Sequence, residues 1–104
     1  MLDSKIVGKT LYVGLNGELD ECSAVSTRKQ LDELLDIPQI ERIVVEMSQL
    51  TFMDSTGIGV LLGRYKRAQK VGLPIFVANP NKCVDKLLKL SGIYTIIPKI
   101  VTEA

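Results

Sequence analysis

The sequence predicts an α/β protein in which helices flank a mixed β-sheet, with elements in the order β-β-α-β-α-β-α-β. Three observations predict this. Apolar and polar residues alternate near the N-terminus, short β-branched runs recur after residue 40, and segments of helical periodicity separate those runs. A length of 104 residues suits one domain, so we expect 1–104 to form a single unit.

The first two strands are predicted to form a hairpin. Leu2–Val7 and Thr10–Leu15 are β-prone runs joined by only Gly8 and Lys9, and a connection this short implies antiparallel pairing. Gly8-Lys9-Thr10 also matches the end of a phosphate-binding loop. The full motif, however, needs a glycine where this chain has Asp3, so we interpret the segment as a turn.

A helix is predicted over 21–36, because Asp20 is a candidate cap and Pro38 prevents continuation. A buried strand follows at 43–47, and residues 50–57 are predicted to be a loop leading into a second helix that ends near residue 71. A strand over 73–78, a third helix that starts at Asn79-Pro80-Asn81 and is closed by Gly92, and an edge strand over 96–101 complete the chain. The predicted inward-facing residues of the three helices are Ala24, Arg28 (through its methylenes), Leu31, Leu34, Leu35; Ile58, Leu61, Leu62, Tyr65, Ala68; Val84, Leu87, Leu88 and Ser91.

The composition excludes several classes of function. The chain has no histidine, the usual general base and the commonest transition-metal ligand, so we expect neither an enzyme nor a metal site. A net charge of +1 gives no reason to expect a nucleic-acid or membrane partner. No run approaches the ~20 apolar residues of a membrane helix. Cys22 and Cys83 are far apart in the sequence, and we interpret them as reduced thiols packed in a cytoplasmic protein.

The segment Asp54-Ser55-Thr56-Gly57 is the strongest candidate site. With Asp54 as N-cap, Ser55 occupies the first helical position, where free backbone N–H groups and the helix dipole favour an anion. Simple capping also explains these residue types. Two functional alternatives are a nucleophilic serine, for which no histidine base exists, and a serine that another protein phosphorylates.

Three glycines at 57, 59 and 63 follow in the same helix. They do not form the dinucleotide-binding fingerprint, because Leu62 stands where its third glycine would fall. Two interpretations stay open: the glycines allow close packing of the helix on the sheet, or they let the backbone of a partner approach.

Residues 52–66, FMDSTGIGVLLGRYK, resemble the signature of bacterial anti-sigma factor antagonists, which are single STAS domains. The segments 17–20 and 86–93 resemble two further blocks of that family, in the same order. The likeness covers nearly the whole chain and is closest to the sporulation sigma-F antagonist branch. It implies a STAS-like fold with a mixed sheet flanked by helices.

The resemblance also implies a partner-switching mechanism. The unphosphorylated protein binds an anti-sigma factor with serine kinase activity and releases the sigma factor. The kinase inactivates it by phosphorylation at Ser55, and a PP2C-type phosphatase reverses the modification. The ATP belongs to the kinase, so no cofactor is expected on this chain.

Carried over onto this sequence, the resemblance makes Ser55 the phosphoacceptor, framed by Asp54 and Thr56. A partner-facing helix start is implied at Gly57, Ile58 and Gly59, and an adjacent loop completes the docking surface with Glu18 and Asp20. The alternative is a STAS scaffold or small-ligand-binding regulatory subunit that is never phosphorylated. Many relatives continue into a fourth helix, whereas this sequence ends at Ala104; whether such a helix forms is left open.

Overall fold

The computed structural model describes residues 2–101. Its strands and helices follow in the order β1 (Leu2–Val7), β2 (Thr10–Leu15), β3 (Gly17–Leu19), α1 (Ala24–Leu35), β4 (Arg42–Glu46), β5 (Leu50–Met53), α2 (Ser55–Lys70), β6 (Ile75–Ala78), α3 (Lys82–Ser91), a 3₁₀ turn (Ile93–Thr95) and β7 (Lys99–Ile100).

The main sheet has five strands in the order β1-β2-β4-β6-β7. β1 runs antiparallel to β2, and the other neighbouring pairs are parallel. The predicted mixed sheet, its opening hairpin and its C-terminal edge strand are therefore confirmed. Gly8, at φ +63°, makes the two-residue turn between β1 and β2 possible, because the first central position of such a turn requires a positive φ.

A second, two-stranded sheet pairs β3 with β5 in parallel. The prediction that residues 50–57 form a loop was therefore wrong, because residues 50–53 form β5, and the short strand β3 was not predicted. Hydrogen bonds from Gly17 N to Gln49 O (3.0 Å) and from Thr51 Oγ1 to Gly17 O (2.9 Å) hold the start of β3 against β5. Strands of three and four residues are too short to show a period in sequence.

The core lies on one face of the main sheet, where odd-numbered residues of β2, β4 and β6 meet the helices. Most predicted inward residues are buried or half-buried. Arg28 is exposed, and Thr27 is buried in its place, because the buried stripe of α1 continues from Ala24 at the i+3 position and not at i+4. Ser91 is also exposed, and Val60 is buried although it was not predicted to be.

An ion-pair cluster joins the two helices that pack together. Asp32 on α1 lies 3.0 Å from Arg64 Nε and 3.5 Å from an Arg67 nitrogen on α2. Burial lowers the pKa of Arg64 from its ordinary value, and the charge of Asp32 opposes that shift. The cluster joins the C-terminal half of α2 to α1.

Other expectations need correction. The last strand is only Lys99–Ile100, because the N–H groups of Ile96 and Ile97 bond to Ile93 O of the preceding 3₁₀ turn rather than to a neighbouring strand. Cys22 and Cys83 are free thiols, but both are exposed rather than packed. The question of a fourth helix falls on residues 102–104, which lie outside the described part of the chain.

Within residues 2–101, no helix is both long and apolar enough to cross a membrane.

Candidate functional site

Asp54 is the N-cap of α2, as the sequence predicts. Its backbone is extended (φ −114°, ψ −169°), and its carboxylate accepts hydrogen bonds from Thr56 N (2.9 Å) and Gly57 N (3.4 Å). Two of the backbone N–H groups at the helix start are therefore satisfied by a carboxylate. The capping interpretation is thus confirmed. The cap also fixes the backbone of the next residue, Ser55, in the first turn of α2.

Ser55 is the first residue of the 16-residue helix α2, and it is exposed. It stands at the positive end of the helix dipole. A hydroxyl in this position is open to an enzyme from outside, while the backbone that carries it is held by the Asp54 cap. The site therefore combines an accessible nucleophilic oxygen with a rigid support.

The pairing of β3 with β5 brings a distant loop beside Ser55. Leu19 is in register with Met53, and Asp54 N donates to Leu19 O at 3.4 Å. The residues that follow the two strands, Asp20 and Asp54, consequently leave the small sheet at the same end. Glu18 is exposed and Asp20 half-buried, so the structure brings the residues from both parts of the chain to one end.

Asp20 does not cap α1 directly, contrary to the sequence prediction. Its Oδ1 accepts hydrogen bonds from Cys22 N (2.9 Å) and Ser23 N (3.1 Å), within a turn that precedes the helix. Ser23 is the residue before α1, and its hydroxyl donates to Glu18 O at 2.9 Å. The acidic loop is thus tied down by its own side chains, and α1 starts three residues later than predicted.

The glycines at the start of α2 differ in their surroundings. A Cβ on Gly57 would collide with the buried side chain of Met53 and lie 3.2 Å from Leu19 Cδ2, whereas a Cβ on Gly59 would have nothing within 4 Å. Close packing therefore explains Gly57, which is buried. It does not explain Gly59, which is exposed and leaves the first turns of α2 flat on the solvent side.

Phe52 is a residue that the sequence analysis did not assign to the site. It lies on β5 in register with Glu18, and its side chain is 46% exposed. An aromatic residue in a strand is normally taken as core. The signal that could have found it is its place two residues before Asp54 in the recognised signature. We call the following group the Ser55 surface: Glu18, Asp20, Phe52, Asp54, Ser55, Thr56, Ile58 and Gly59.

A family model described as the STAS domain matches residues 1–103. The chain belongs to the STAS family. It is 43% identical over 88 residues to an anti-sigma F factor antagonist of Paenibacillus polymyxa, which covers 85% of this chain and 75% of that protein. That relative is named as an antagonist of an anti-sigma factor, which is a regulatory role rather than an enzymatic one.

Two solved structures are similar to this STAS protein over 99% of its length. One is the anti-sigma factor antagonist SpoIIAA in its unphosphorylated form, with a TM-score of 0.80, 27% identity and 90% of that chain covered. The other is the Bacillus cell fate determinant SpoIIAA in the phosphorylated form, with a TM-score of 0.71, 26% identity and 93% covered. The same fold is therefore found in a protein that exists in both states.

Proposed function

We propose that this protein is an anti-sigma factor antagonist that is controlled by phosphorylation at Ser55. Unphosphorylated, it binds an anti-sigma factor with serine kinase activity through the Ser55 surface, and the sigma factor is released. The kinase then modifies Ser55, and a PP2C-type phosphatase removes the phosphate. The observation that carries the proposal is the exposed Ser55 hydroxyl on a capped helix start, in a chain similar to an anti-sigma F factor antagonist.

Electrostatics explain how one phosphate could act as the switch. A phosphoserine adds about 1.5–2 negative charges, and the Ser55 surface already carries Glu18, Asp20 and Asp54. At about 5 Å and an effective dielectric near 20, each pair of like unit charges costs about 3 kcal/mol, and less where solvent screens it. The helix dipole offsets part of this cost. The fold can therefore remain intact while the surface becomes much more negative.

Phe52 is the most exposed apolar residue of this acidic surface, since Ile58 is half-buried. Exposed aromatic residues surrounded by polar side chains are typical binding hot spots. Thr51 donates to Gly17 O and so holds β5 against β3, which keeps the ring beside Glu18. We expect the kinase to offer an apolar pocket to Phe52, with basic groups facing the carboxylates around it.

The first test incubates the purified protein with its cognate anti-sigma kinase and labelled ATP. We expect label on Ser55, none on Ser55→Ala, and normal labelling of Ser26→Ala, which changes an exposed serine near the start of α1. Undiminished labelling of Ser55→Ala, or clean failure of the wild-type protein to accept phosphate, would refute the proposal.

A second test separates docking from phosphate transfer. Phe52→Ala is expected to weaken binding to the kinase by about tenfold or more. Val25→Ala is the matched control, because Val25 is also an exposed apolar residue, on α1 outside the Ser55 surface. Titration calorimetry of unphosphorylated protein measures both, and equal affinities for the two variants would remove Phe52 from the docking surface.

A further inference from the structure

β1 is an edge strand of the main sheet, and it is unusually open. Residues 3–7 are all exposed, including Ile6 at 49% and Val7 at 58%. Ile6 is in register with the core residue Leu11 and so faces the core side of the sheet, yet it remains half in water. We propose that β1 pairs antiparallel with β1 of a second copy of this chain, which joins two main sheets into one.

The backbone of β1 has the hydrogen-bonding groups for this. The two-residue turn makes Val7 and Thr10 the closing hydrogen-bonded pair of the hairpin. Because ladder bonds use alternate residues, Val7, Lys5 and Asp3 direct their N–H and C=O groups toward β2. The groups of Leu2, Ser4 and Ile6 therefore point away from the sheet, where another strand can use them.

The side chains of β1 select one register for such a pair. With Ser4 facing Ser4 of the second copy, Asp3 stands opposite Lys5 at two symmetric places, and Leu2 stands opposite Ile6 at two more. The neighbouring registers that keep the same backbone alternation place Asp3 opposite Asp3, or Lys5 opposite Lys5. Like charges directly opposite each other disfavour pairing, and opposite charges favour it. The segment is thus self-complementary in one arrangement.

The two faces of the strand then serve different purposes. Asp3 and Lys5 lie on the face that carries Tyr12 and Gly14, and Lys5 Nζ stands 5.7 Å from the centre of the Tyr12 ring. Leu2 and Ile6 lie on the core face, so their contacts with the second copy cover apolar surface that is partly open to water in the single chain. Since a single strand from each copy forms the interface, its area is small and the dimer is expected to be weak and reversible.

The test is sedimentation velocity of the purified full chain over a series of concentrations, without kinase or nucleotide. We expect a reversible dimer for the wild-type protein. Lys5→Asp and Asp3→Lys should each weaken it at least about tenfold, because each places like charges opposite at two positions. The double variant Asp3→Lys with Lys5→Asp should restore the wild-type dimer, because it exchanges the charges and keeps the pairs.

Lys29→Asp is the matched control, since it makes the same change of net charge at an exposed site on α1 and should leave the dimer unchanged. Circular dichroism verifies that each variant is folded, and the restored double variant serves as an internal proof of folding. A monomeric wild-type protein at every concentration, an equal effect of Lys29→Asp and Lys5→Asp, or a double variant as weak as the single ones would each overturn the inference. Because no kinase is present, the result is independent of the proposed phosphorylation.

Discussion

The starts of α1 and α2 look alike in sequence but are built differently. Each combines an aspartate with a serine just before or within the first turn. At α2, Asp54 caps the helix directly and Ser55 faces solvent. At α1, Asp20 closes a separate turn and the Ser23 hydroxyl is engaged with Glu18 O and Asp20 N. Ser55 is consequently available for modification, whereas the Ser23 hydroxyl is used in the hydrogen bonds of the α1 turn.

Because the starts of α1 and α2 contain the same residue types in different arrangements, residue types at a helix start do not by themselves define a phosphorylation site. What distinguishes Ser55 is that the cap is supplied by the residue before it, so that its own hydroxyl is not needed for structure. In the α1 turn, the serine performs the structural task itself.

Among the variants of the two helix starts, the largest effect on partner binding is expected for a fixed charge at position 55. Ser55→Asp should weaken binding of the anti-sigma kinase by about tenfold or more, which corresponds to about 1.4 kcal/mol, because it adds a carboxylate beside Asp54. Ser26→Asp, on the exposed side of α1, is the control and should bind normally. Titration calorimetry measures the affinity of each variant for the kinase. An unchanged affinity of Ser55→Asp would rule out the electrostatic mechanism.

The two glycines of α2 should respond in opposite directions. Gly57→Ala should destabilise the protein by about 2 kcal/mol, because the new methyl group overlaps Met53 in a packed site. Gly59→Ala should stabilise it by up to about 1 kcal/mol, since the site is open and alanine is the better helix former. Urea unfolding measures both changes, and a similar loss for the two variants would contradict the assignment of different roles.

The affinity of Gly59→Ala for the kinase tests docking separately, because a change in stability would move the two measurements in the same direction. If the flat surface at Gly59 admits the backbone of the kinase, the variant binds more weakly although it unfolds at higher urea concentration. Wild-type affinity in this more stable variant would show that the partner does not approach α2 at that point.

The caps should differ by a smaller amount. Asp54→Ala is expected to cost about 1 kcal/mol, because two N–H groups of α2 lose their acceptor. Asp20→Ala should cost less, about 0.5 kcal/mol, since the N–H groups it releases lie in a turn that water reaches. Paired urea titrations of the two variants test the order, and the reverse order would mean that the α1 turn is the more important cap.

The smallest effect is expected in acid, at a carboxylate away from the Ser55 surface. Hydrogen bonds from Tyr94 (2.6 Å) and Lys99 (2.9 Å) lower the pKa of Asp85 below its ordinary value of 3.8. The stability that this group contributes is present above pH 3.8 and is lost as the pH falls through the lowered pKa. Tyr94→Phe should therefore reduce stability slightly at neutral pH and make the acid-induced loss shallower.

Unfolding of wild type and Tyr94→Phe is compared at neutral pH and at a pH below the pKa of Asp85. The expected result is a difference between the two proteins that shrinks in acid. A difference that stays constant with pH would assign the role of Tyr94 to packing alone.

The helices, the hairpin and the Asp54 cap could be predicted from the sequence, because each depends on residues that are close together in the chain. Period-2 alternation defines β2, a two-residue turn with Gly8 defines the hairpin, and an aspartate followed by an apolar stripe defines the start of α2. The position of Ser55 in the first turn of α2 follows from the same local pattern, since it comes directly after the capping Asp54. The local pattern failed at Arg28 and Thr27, because apolar spacing alone does not tell whether the i+3 or the i+4 position after Ala24 faces the core.

The sequence by itself determined that Ser55 is the first residue of a capped helix, since capping is decided within a few residues. Only the tertiary structure decided what surrounds it. β3 and β5 are too short to be stable or recognisable alone, and they exist because each supplies the other's hydrogen bonds across a separation of more than thirty residues. That pairing brings Glu18 and Asp20 to the end of the sheet where Asp54 lies and turns Phe52 toward solvent.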